Sequence, residues 1–439
     1  MDSKARDRFI HGYDVVVKGK KQFREPQITE EDKKLVCIRA SREQLLWAHT
    51  DKLKPCTNCT GVEYGNWTGL KELVDDIQAG VKRPECQRCW NDEAEGFSSY
   101  RQQGNQQWKI PGHGNSHTEI IYNNNCNASC LYCSGTQSSV IAEEIKNTEH
   151  KVPAHLLNSN EAADPPLSKE KILESAKQQV ANIAKDINKL ACIGVYGGEP
   201  SLDIIEEDHI GILLEEFFKH NQMWTRTIRY DFNSNFQFSE ERAKQLVEYF
   251  HYYSDVFPTL NIIIQPSMEC MGKFYNFVRH GCDWEIAERN LNYFLQNTNL
   301  QVDIRAHINN VSLKNLAPFL ERMNNKCRDI RPFYIEIDFV NRPEIFSNNI
   351  LDSTFKKYSN DVWFYLENNQ PHFANIDAMV TSLKMLNKMI DSSPEHAKKF
   401  YAKQALETYD YFKKTRGVDL LEVNPELYYY FKMVNISSN

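Results

Sequence analysis

The amino-acid sequence predicts an α/β protein built on a partial (β/α)6 barrel, with a small cysteine-rich region before it and a helical region after it. Three observations predict this class: apolar runs alternate with amphipathic stretches through the middle of the chain, cysteines concentrate in the first third, and apolar residues beyond about 350 recur at helical spacing. Alternating strands and helices are typical of a parallel sheet. Six units are fewer than the eight of a closed barrel, so the barrel is expected to be incomplete.

The elements of the barrel follow from these patterns in order. The predicted strands are 118–123, 191–196, 228–232, 259–265, 302–308 and 333–339. The predicted amphipathic helices are 169–190, 204–220, 239–252, 284–295 and 313–323. The segment 151–168 contains a Pro-Pro pair and is predicted to be a surface insertion after the first unit.

The chain divides into three predicted domains, 1–110, 111–345 and 346–439. A short amphipathic helix is expected at 70–80 in the first of them. In the last, apolar residues at helical spacing are Ile376, Val380, Leu383, Leu386 and Ile390. Ser393 is predicted to cap the start of a further helix with Pro394 in its first turn, and Gly417 predicts its end. The aromatic cluster 428–431 is expected to pack in the core.

Composition and charge exclude several classes of protein. The 439 residues carry 52 basic and 59 acidic side chains, a net charge of −7, which argues against a dedicated nucleic-acid binder. The basic run at 18–21 is better explained as solvated surface. No apolar stretch approaches the ~20 residues of a membrane span, and residues 1–7 lack the apolar core of a secretory signal. We therefore expect a soluble, cytoplasmic protein without membrane partners.

The twelve cysteines are distributed unevenly. In a cytoplasmic protein they are expected to stay reduced, so clustered thiols indicate metal ligands rather than disulfides. Five lie in the first ninety residues, and three more form a tight triplet near 130. The isolated ones, Cys192, Cys270, Cys282 and Cys327, are expected to be small core residues.

The triplet Cys126-Asn-Ala-Ser-Cys130-Leu-Tyr-Cys133 follows the first predicted strand. Thiolates are soft, anionic ligands that suit iron–sulfur clusters, and one loop with this spacing can surround a single compact cluster. Three ligands on a four-iron cluster leave one iron open to a substrate or cofactor. Taken alone, the triplet could also bind zinc.

The triplet resembles the signature of the radical S-adenosylmethionine (SAM) superfamily, in which an aromatic residue, here Tyr132, precedes the last cysteine. The resemblance implies that Tyr132 is one of the cofactor-binding residues. A second resemblance is Gly197-Gly198-Glu199-Pro200, at the end of the second predicted strand, where the superfamily has a Gly-Gly-Glu-Pro motif. Consecutive glycines permit close backbone approach, which the resemblance assigns to the amino-acid end of SAM. The alternative is a plain glycine turn between strand and helix. The resemblance implies a partial TIM-like barrel.

Polar residues at three further strand ends are similar to cofactor-binding positions of the superfamily. Residues expected to bind SAM are Asn233, Ser234 and Asn235 after the third strand, Ser267 and Glu269 after the fourth, and Arg279 in a segment similar to Tyr-Ile-Arg-x-Gly. Such residues can equally cap the helices that follow.

The amino-terminal cysteines Cys37, Cys56, Cys86 and Cys89 are separated by 18, 29 and two residues. This pattern resembles the twitch (short SPASM-like) module, which implies one auxiliary 4Fe–4S cluster on these four ligands. Here the module precedes the barrel, as in one subgroup, which the closing segments 409–417 and 424–427 also resemble. The glycine expected shortly before the second cysteine is missing from 50–55.

Zinc is the alternative for these cysteines. Cys56-x-x-Cys59 and Cys86-x-x-Cys89 are two knuckles with 26 residues between them, near the spacing of a four-cysteine zinc ribbon. Cys37 and Cys59 therefore compete for the fourth place at this site, and the twitch pattern favours Cys37.

The resemblance implies a radical SAM enzyme. In such an enzyme an electron from a donor such as flavodoxin or ferredoxin enters the cluster on Cys126, Cys130 and Cys133, and SAM is cleaved to a 5′-deoxyadenosyl radical that abstracts hydrogen. The expected substrate is a peptide or protein side chain, or a small hydroxylated molecule, and the auxiliary cluster would accept or relay an electron. The alternative is a non-catalytic, zinc-ribbon binding or structural protein on a degenerate barrel.

Overall fold

The structure is a computed structural model. It describes residues 36–37, 40, 43–47, 52–56, 59–63, 66–94, 99, 101–102, 105, 117–121, 123–157, 170, 174, 177–178, 181, 191–219, 228–340, 343–369 and 371–436. The basic run at 18–21 and most of the helix predicted at 169–190 lie outside these residues.

Among the described residues, one nine-stranded sheet forms the centre of the molecule. Its strands are β1 (Glu43–Trp47), β2 (Lys52–Lys54), β3 (Val62–Glu63), β4 (His117–Ile121), β6 (Ala191–Val195), β7 (Ile228–Ser234), β8 (Leu260–Pro266), β10 (Gln301–Ile308) and β11 (Tyr334–Phe339). Two further short strands, β5 (Ser129–Cys130) and β9 (Arg279–His280), form a separate antiparallel ribbon.

The order across the large sheet is β11-β10-β8-β7-β6-β4-β1-β2-β3. Neighbouring strands are parallel from β11 to β1, and β2 and β3 are antiparallel additions at one edge. The six predicted barrel strands are confirmed as β4, β6, β7, β8, β10 and β11, within two residues at each end. The result is a mixed α/β architecture in which the six predicted strands run parallel, with β1 as a seventh parallel strand beside β4, and this is consistent with a partial TIM-like barrel.

The first three strands join this sheet, which the sequence did not predict. β1 pairs in parallel with β4 along its whole length, and β2 and β3 follow it. Pairing between two strands that lie about 70 residues apart leaves no local pattern in the sequence, because it depends on which edge of the sheet is free. The cysteine-rich region thus shares a sheet with the barrel, while the domain boundaries themselves stay predictions.

Helices alternate with the strands along the chain, and further helices follow the last strand. Those up to the last strand are α1 (Trp67–Gln78), α2 (Gln87–Ala94), α3 (Ser139–Asn147), α4 (Ala154–Leu157), α5 (His209–Lys219), α6 (Glu240–Val256), α7 (Lys273–Val278), α8 (Trp284–Asn297) and α9 (Leu316–Asp329). Those after it are α10 (Lys356–Asn368), α11 (Ile376–Met389), α12 (Glu395–Arg416), α13 (Leu420–Val423) and α14 (Pro425–Ile436).

Side-chain caps explain where several helices begin. Ser239 accepts a hydrogen bond from the backbone N–H of Arg242 and begins α6, and Asp283 does the same for Glu285 at the start of α8. α5 begins later than predicted, because residues 203–208 form turns. Pro394 occupies the cap position of α12 without a side-chain hydrogen bond, so the prediction that Ser393 caps this helix is wrong.

The last region packs largely as predicted. Gly417 ends α12 with φ of 68°, a left-handed conformation that favours glycine. Of the aromatic cluster in α14, Tyr430 and Phe431 are buried, whereas Tyr429 is 56% exposed. The four isolated cysteines are all buried, as expected of core residues.

The segment 151–168 is only partly a surface insertion. Leu156 in α4 is fully buried, and the Nε2 atom of His155 lies 3.2 Å from the carbonyl oxygen of Leu131. The part up to 157 therefore packs onto the cysteine triplet's loop, and residues 158–168 lie outside the described part of the chain. No described helix is long and apolar enough to cross a membrane.

Candidate active site and second cysteine cluster

The cysteine triplet lies on a loop between β4 and α3, at the carboxyl end of β4. We call residues 123–138 the cysteine loop. Its ends are closed by short-range hydrogen bonds: Ser139 Oγ accepts from the N–H of Cys126 at 3.1 Å, and Ser138 Oγ donates to the carbonyl of Ala128 at 2.7 Å. The N–H of Cys133 donates to the carbonyl of Cys130 at 3.2 Å. These bonds place three thiols on one compact turn.

A buried arginine approaches the central thiol of the loop. The ribbon of β5 and β9 pairs Cys130 with Arg279, and Arg279 Nη1 lies 3.9 Å from Cys130 Sγ, within the range of a hydrogen bond to sulfur. A positive donor beside the sulfur favours the thiolate over the neutral thiol.

Tyr132, in the cysteine loop, forms a hydrogen-bonded triad with the buried residues Glu269 and Arg279. Tyr132 Oη donates to Glu269 Oε1 at 2.9 Å, Arg279 Nε donates to Glu269 Oε2 at 2.9 Å, and Arg279 Nη2 donates to Tyr132 Oη at 3.0 Å. The three predicted cofactor-binding residues thus satisfy one another. A buried charge pair holds its geometry because losing either partner leaves the other uncompensated.

The double-glycine turn packs directly against the cysteine loop. Gly197 and Gly198 have φ of 76° and 58°, and a Cβ on Gly198 would lie 2.4 Å from the carbonyl oxygen of Asn125. The N–H of Gly198 donates to the carbonyl of Gln137 at 3.2 Å, and that of Glu199 donates to the carbonyl of Asn125 at 2.6 Å. The glycines are therefore required by the approach of two loops.

Glu199 is a buried carboxylate beside this turn. It accepts hydrogen bonds from Ser234 Oγ at 2.6 Å, from the N–H of Asn235 at 2.7 Å and from the N–H of Ser201 at 3.1 Å. Burial raises the pKa of the Glu199 carboxyl, and these donors oppose that rise. Glu199 thereby links the end of β6 to the end of β7.

The remaining predicted positions meet at the same edge of the sheet. Ser267 Oγ donates to Asn233 Oδ1 at 2.8 Å, and Asn235 Nδ2 donates to Asn127 Oδ1, in the cysteine loop, at 2.7 Å. The structure therefore brings all the predicted barrel residues together at the carboxyl ends of β4, β6, β7 and β8, where parallel α/β folds place their sites.

Burial shapes the acid–base chemistry of the three thiols. It raises the pKa of Cys126 to about 12 and raises the pKa values of Cys130 and Cys133, while the charge of Arg279 acts in the opposite direction on Cys130. Without a metal these thiols are protonated near neutral pH, so a metal group binding here displaces protons.

Cys282 lies closer to the triplet than the sequence indicated. It is buried, its N–H donates to the carbonyl of Arg279 at 2.8 Å, and the charges of Cys130 and Cys126 help burial to raise its pKa. Its position three residues after Arg279 in the same segment was the available signal.

A row of ionisable side chains on β10 and β11 was also missed. Asp303, Arg305 and His307 alternate with apolar residues along β10, and Glu336, in register with Arg305, forms an ion pair with it. Burial lowers the pKa of His307 to about 4 and raises that of Asp303 to about 7. The strict alternation of polar and apolar residues is the signal that could have identified this polar face.

The amino-terminal cysteines surround one cavity. Cys37, Cys56, Cys59, Cys86 and Cys89 all line it, with Trp90 and Arg101. A hydrogen bond between Cys59 and Cys86 raises the pKa of Cys86 and lowers that of Cys59. Cys59 Sγ also accepts from the N–H of Gly61 at 3.4 Å. The two Cys-x-x-Cys turns therefore face each other across the cavity.

The segment carrying Cys37 is held by distant polar side chains. Gln78 Nε2 donates to the carbonyl of Cys37, while Arg101 Nη1 and Asn105 Nδ2 each donate to the carbonyl of Val36 at 2.8 Å. Cys37 and Cys59 thus both have a fixed place at the cavity, and which of them is the fourth ligand of this site stays a prediction. Within the described residues, no group of three or more Cys, His, Asp or Glu has the geometry of a single-ion site.

No protein-family model and no curated protein matches the chain. Several solved structures are distantly similar, including two with bound AdoMet. One is native anSMEcpe, an anaerobic sulfatase-maturating enzyme, with bound AdoMet, at 16% identity over 61% of this chain and 67% of that chain, with a TM-score of 0.41. The other is the hexahistidine-tagged form of anSMEcpe with bound AdoMet, at 15% identity over 61% and 66%, with a TM-score of 0.38. At these TM-scores neither defines the activity of this chain.

Proposed function

We propose that the protein is a radical SAM enzyme whose catalytic 4Fe–4S cluster is held by Cys126, Cys130 and Cys133. One observation carries this proposal: the three thiols share one loop at the carboxyl end of a parallel strand, and the double-glycine turn before Glu199 is hydrogen-bonded to that loop. When bound, the cluster and SAM would supply a 5′-deoxyadenosyl radical able to abstract hydrogen from a carbon of the substrate.

The residues fit such a group. None of the three cysteines is in a disulfide, and Arg279 offers a hydrogen bond to one of the sulfurs. In this proposal Glu199 would receive the ammonium group of SAM, since a carboxylate has about four acceptor positions and three donors occupy it here. Asn233, Ser234, Asn235 and Ser267 supply polar groups for the ribose.

We assign Tyr132, Glu269 and Arg279 a supporting role in place of direct contact with SAM. Their polar groups are engaged with one another, and the triad joins the loop to the ends of β8 and β9. A rigid support of this kind fixes the orientation of the thiolates, as second-layer hydrogen bonds do at metal sites generally.

The cavity at the amino-terminal cysteines is proposed to hold an auxiliary 4Fe–4S cluster on Cys37, Cys56, Cys86 and Cys89. Support comes from the lining of the cavity and from the three polar side chains that fix residues 36–37. The second candidate is a structural zinc site on the two knuckles, which the hydrogen bond between Cys59 and Cys86 brings together. The described cysteines would have to move to bind a single ion, since no three of them have that geometry.

The substrate is proposed to be a peptide or protein side chain, or a small hydroxylated molecule, and the electron donor a flavodoxin or ferredoxin. The polar face of β10 and β11 is the candidate surface for the substrate. Arg305 and Glu336 on this face pair with each other, and the donors and acceptor positions that this pair leaves over could bind a polar ligand.

The test is anaerobic purification followed by analysis of iron, acid-labile sulfide and zinc, and by an assay for 5′-deoxyadenosine with SAM and dithionite. We expect iron and sulfide together with SAM cleavage. Stoichiometric zinc without iron, and no cleavage, would support the zinc-ribbon alternative and overturn the proposal.

A further inference from the structure

We propose that Arg416, the last residue of α12, is a positioning residue that fixes the cysteine loop and, together with Arg279, makes the cluster on that loop easier to reduce. The inference rests on the proposed function. It assigns to the carboxyl-terminal helices a part in the electron-transfer step.

Arg416 joins the two flanks of the cysteine loop. Its Nη1 donates to the carbonyl of Ser129, next to Cys130, at 2.8 Å, and its Nε donates to Glu144 Oε2, in α3, at 2.8 Å. These partners lie 287 and 272 residues before it in the chain. One guanidinium therefore fixes both the turn that bears Cys130 and the helix that follows Cys133.

The guanidinium is enclosed by the protein. Its side chain is 1% exposed, and it lies over the ring of Phe412 at 4.0 Å from the centroid. Its third nitrogen, Nη2, is buried and has no hydrogen-bond partner among the described residues. A buried donor without an acceptor is costly, so this nitrogen is suited to an acceptor that arrives with a ligand. Cysteine thiolates and the sulfides of an iron–sulfur cluster are anionic acceptors of that kind.

Two arginines then flank Cys130, one through its sulfur and one through the neighbouring carbonyl. Each has a carboxylate partner, Glu269 for Arg279 and Glu144 for Arg416. Reduction adds a negative charge to the cluster, and a nearby positive charge in a buried setting favours that step. Loss of the Arg416 charge would also leave Glu144 as an uncompensated anion on the same side.

A purely structural role for Arg416 makes a different prediction. An anchor that only holds the loop affects how much cluster is bound, but not the potential of the cluster that remains. The two roles are separated by Arg416→Lys, which keeps the charge with fewer donors, and Arg416→Gln, which removes the charge while keeping a donor for the Ser129 carbonyl. Lys414→Gln is the matched control, because it removes a cation that is exposed and paired with Asp410 on the same helix turn.

The experiment is a redox titration of the reconstituted full chain, monitored by electron paramagnetic resonance. The signal measured is that of the reduced cluster that changes when SAM is added, which distinguishes the barrel cluster from an auxiliary one. At a fixed solution potential we expect Arg416→Gln to have at least a tenfold lower ratio of reduced to oxidised cluster, which corresponds to about 59 mV for one electron. Arg416→Lys and Lys414→Gln are expected to stay near the wild-type ratio. Glu144→Gln keeps an acceptor for Arg416 and is expected to shift the ratio the other way.

An unchanged ratio in Arg416→Gln, or an equal shift in Arg416→Lys, overturns the inference. Where Arg416→Gln binds too little cluster to titrate, Glu144→Gln decides: a shift towards the reduced form supports the inference and no shift overturns it. A wild-type protein without any SAM-sensitive signal overturns the proposed function itself. A wild-type signal with unshifted variants overturns the inference alone.

Discussion

The two cysteine sites of this protein are assembled in opposite ways. The triplet lies on one loop whose closing hydrogen bonds come from the adjacent residues Ser138 and Ser139. The five amino-terminal cysteines span residues 37 to 89 and meet at one cavity, and distant side chains such as Gln78 and Arg101 hold the segment carrying Cys37. A site closed by one short loop has little entropy to lose on forming, whereas a site gathered from several segments loses more.

The difference in assembly predicts that the amino-terminal site depends more strongly on bound metal for its structure than the cysteine loop does. We expect the cysteine loop to keep its shape without a cluster, because the glycine turn that packs against it and the triad of Tyr132, Glu269 and Arg279 remain in place. The amino-terminal site is expected to couple metal binding to the folding of its surroundings.

Replacing one thiol of the triplet should inactivate the barrel site without affecting metal binding at the amino-terminal site. Cys130→Ala is expected to abolish SAM cleavage, because two thiolates cannot hold the site-differentiated cluster, while the amino-terminal site keeps its metal. Iron content and 5′-deoxyadenosine production check this. Cys327→Ala, in the core and away from both sites, is the control and should behave as wild type in both measurements. Normal cleavage by Cys130→Ala would contradict the assignment of the triplet.

The double-glycine turn tests whether the cysteine loop is preformed. In Gly198→Ala the new Cβ would lie 2.4 Å from the Asn125 carbonyl, so the loop must move and iron at the barrel site is expected to fall. Gly272→Ala is the matched control, since Gly272 also has a positive φ but no atom within 4 Å of the new Cβ. Gly272 has φ of 56° and ψ of −137°, a conformation that favours glycine, so strain in the control is expected to cost about 1–3 kcal/mol of unfolding free energy. The additional clash makes Gly198→Ala lose more. Thermal unfolding and iron analysis of the two variants test this prediction. Equal losses in both would show that the close approach of the glycine turn to the cysteine loop is unimportant.

The fourth ligand of the amino-terminal site is tested by Cys37→Ala and Cys59→Ala. The first is expected to lose the auxiliary cluster, roughly half of the iron for two four-iron clusters, while still cleaving SAM. The second should keep its iron. The reverse outcome would replace the twitch-like arrangement with the ribbon-like one that the contact between Cys59 and Cys86 suggests.

The smallest effect concerns the thiol next to the triplet. Cys282→Ala is expected to leave iron content and SAM cleavage unchanged and to lower the unfolding free energy by only ~1 kcal/mol, because it removes one buried sulfur from the core. A loss of barrel-site iron in this variant would show that Cys282 is a ligand, and would end the three-cysteine account of the open iron.

Local patterns made much of this molecule predictable. The six barrel strands follow from their apolar runs, and the cysteine spacing placed three thiols on one turn. Contacts between distant segments could not be predicted, because the sequence carries no local mark of them. Arg416 at the cysteine loop, β1 beside β4 and Leu156 under the loop are of this kind. The polar face of β10 is different from these distant contacts. Its alternation of polar and apolar residues is visible in the sequence, and only the pairing of Arg305 with Glu336 on β11 could not be predicted.

The most direct test of the central claim is electron paramagnetic resonance of the anaerobically reconstituted, dithionite-reduced protein with and without SAM. An open iron in a three-cysteine cluster predicts that adding SAM changes the reduced iron–sulfur signal, and that the change disappears in Cys130→Ala but persists in Cys327→Ala. A reduced signal that SAM does not alter, or a protein that contains zinc and no iron, would contradict the claim.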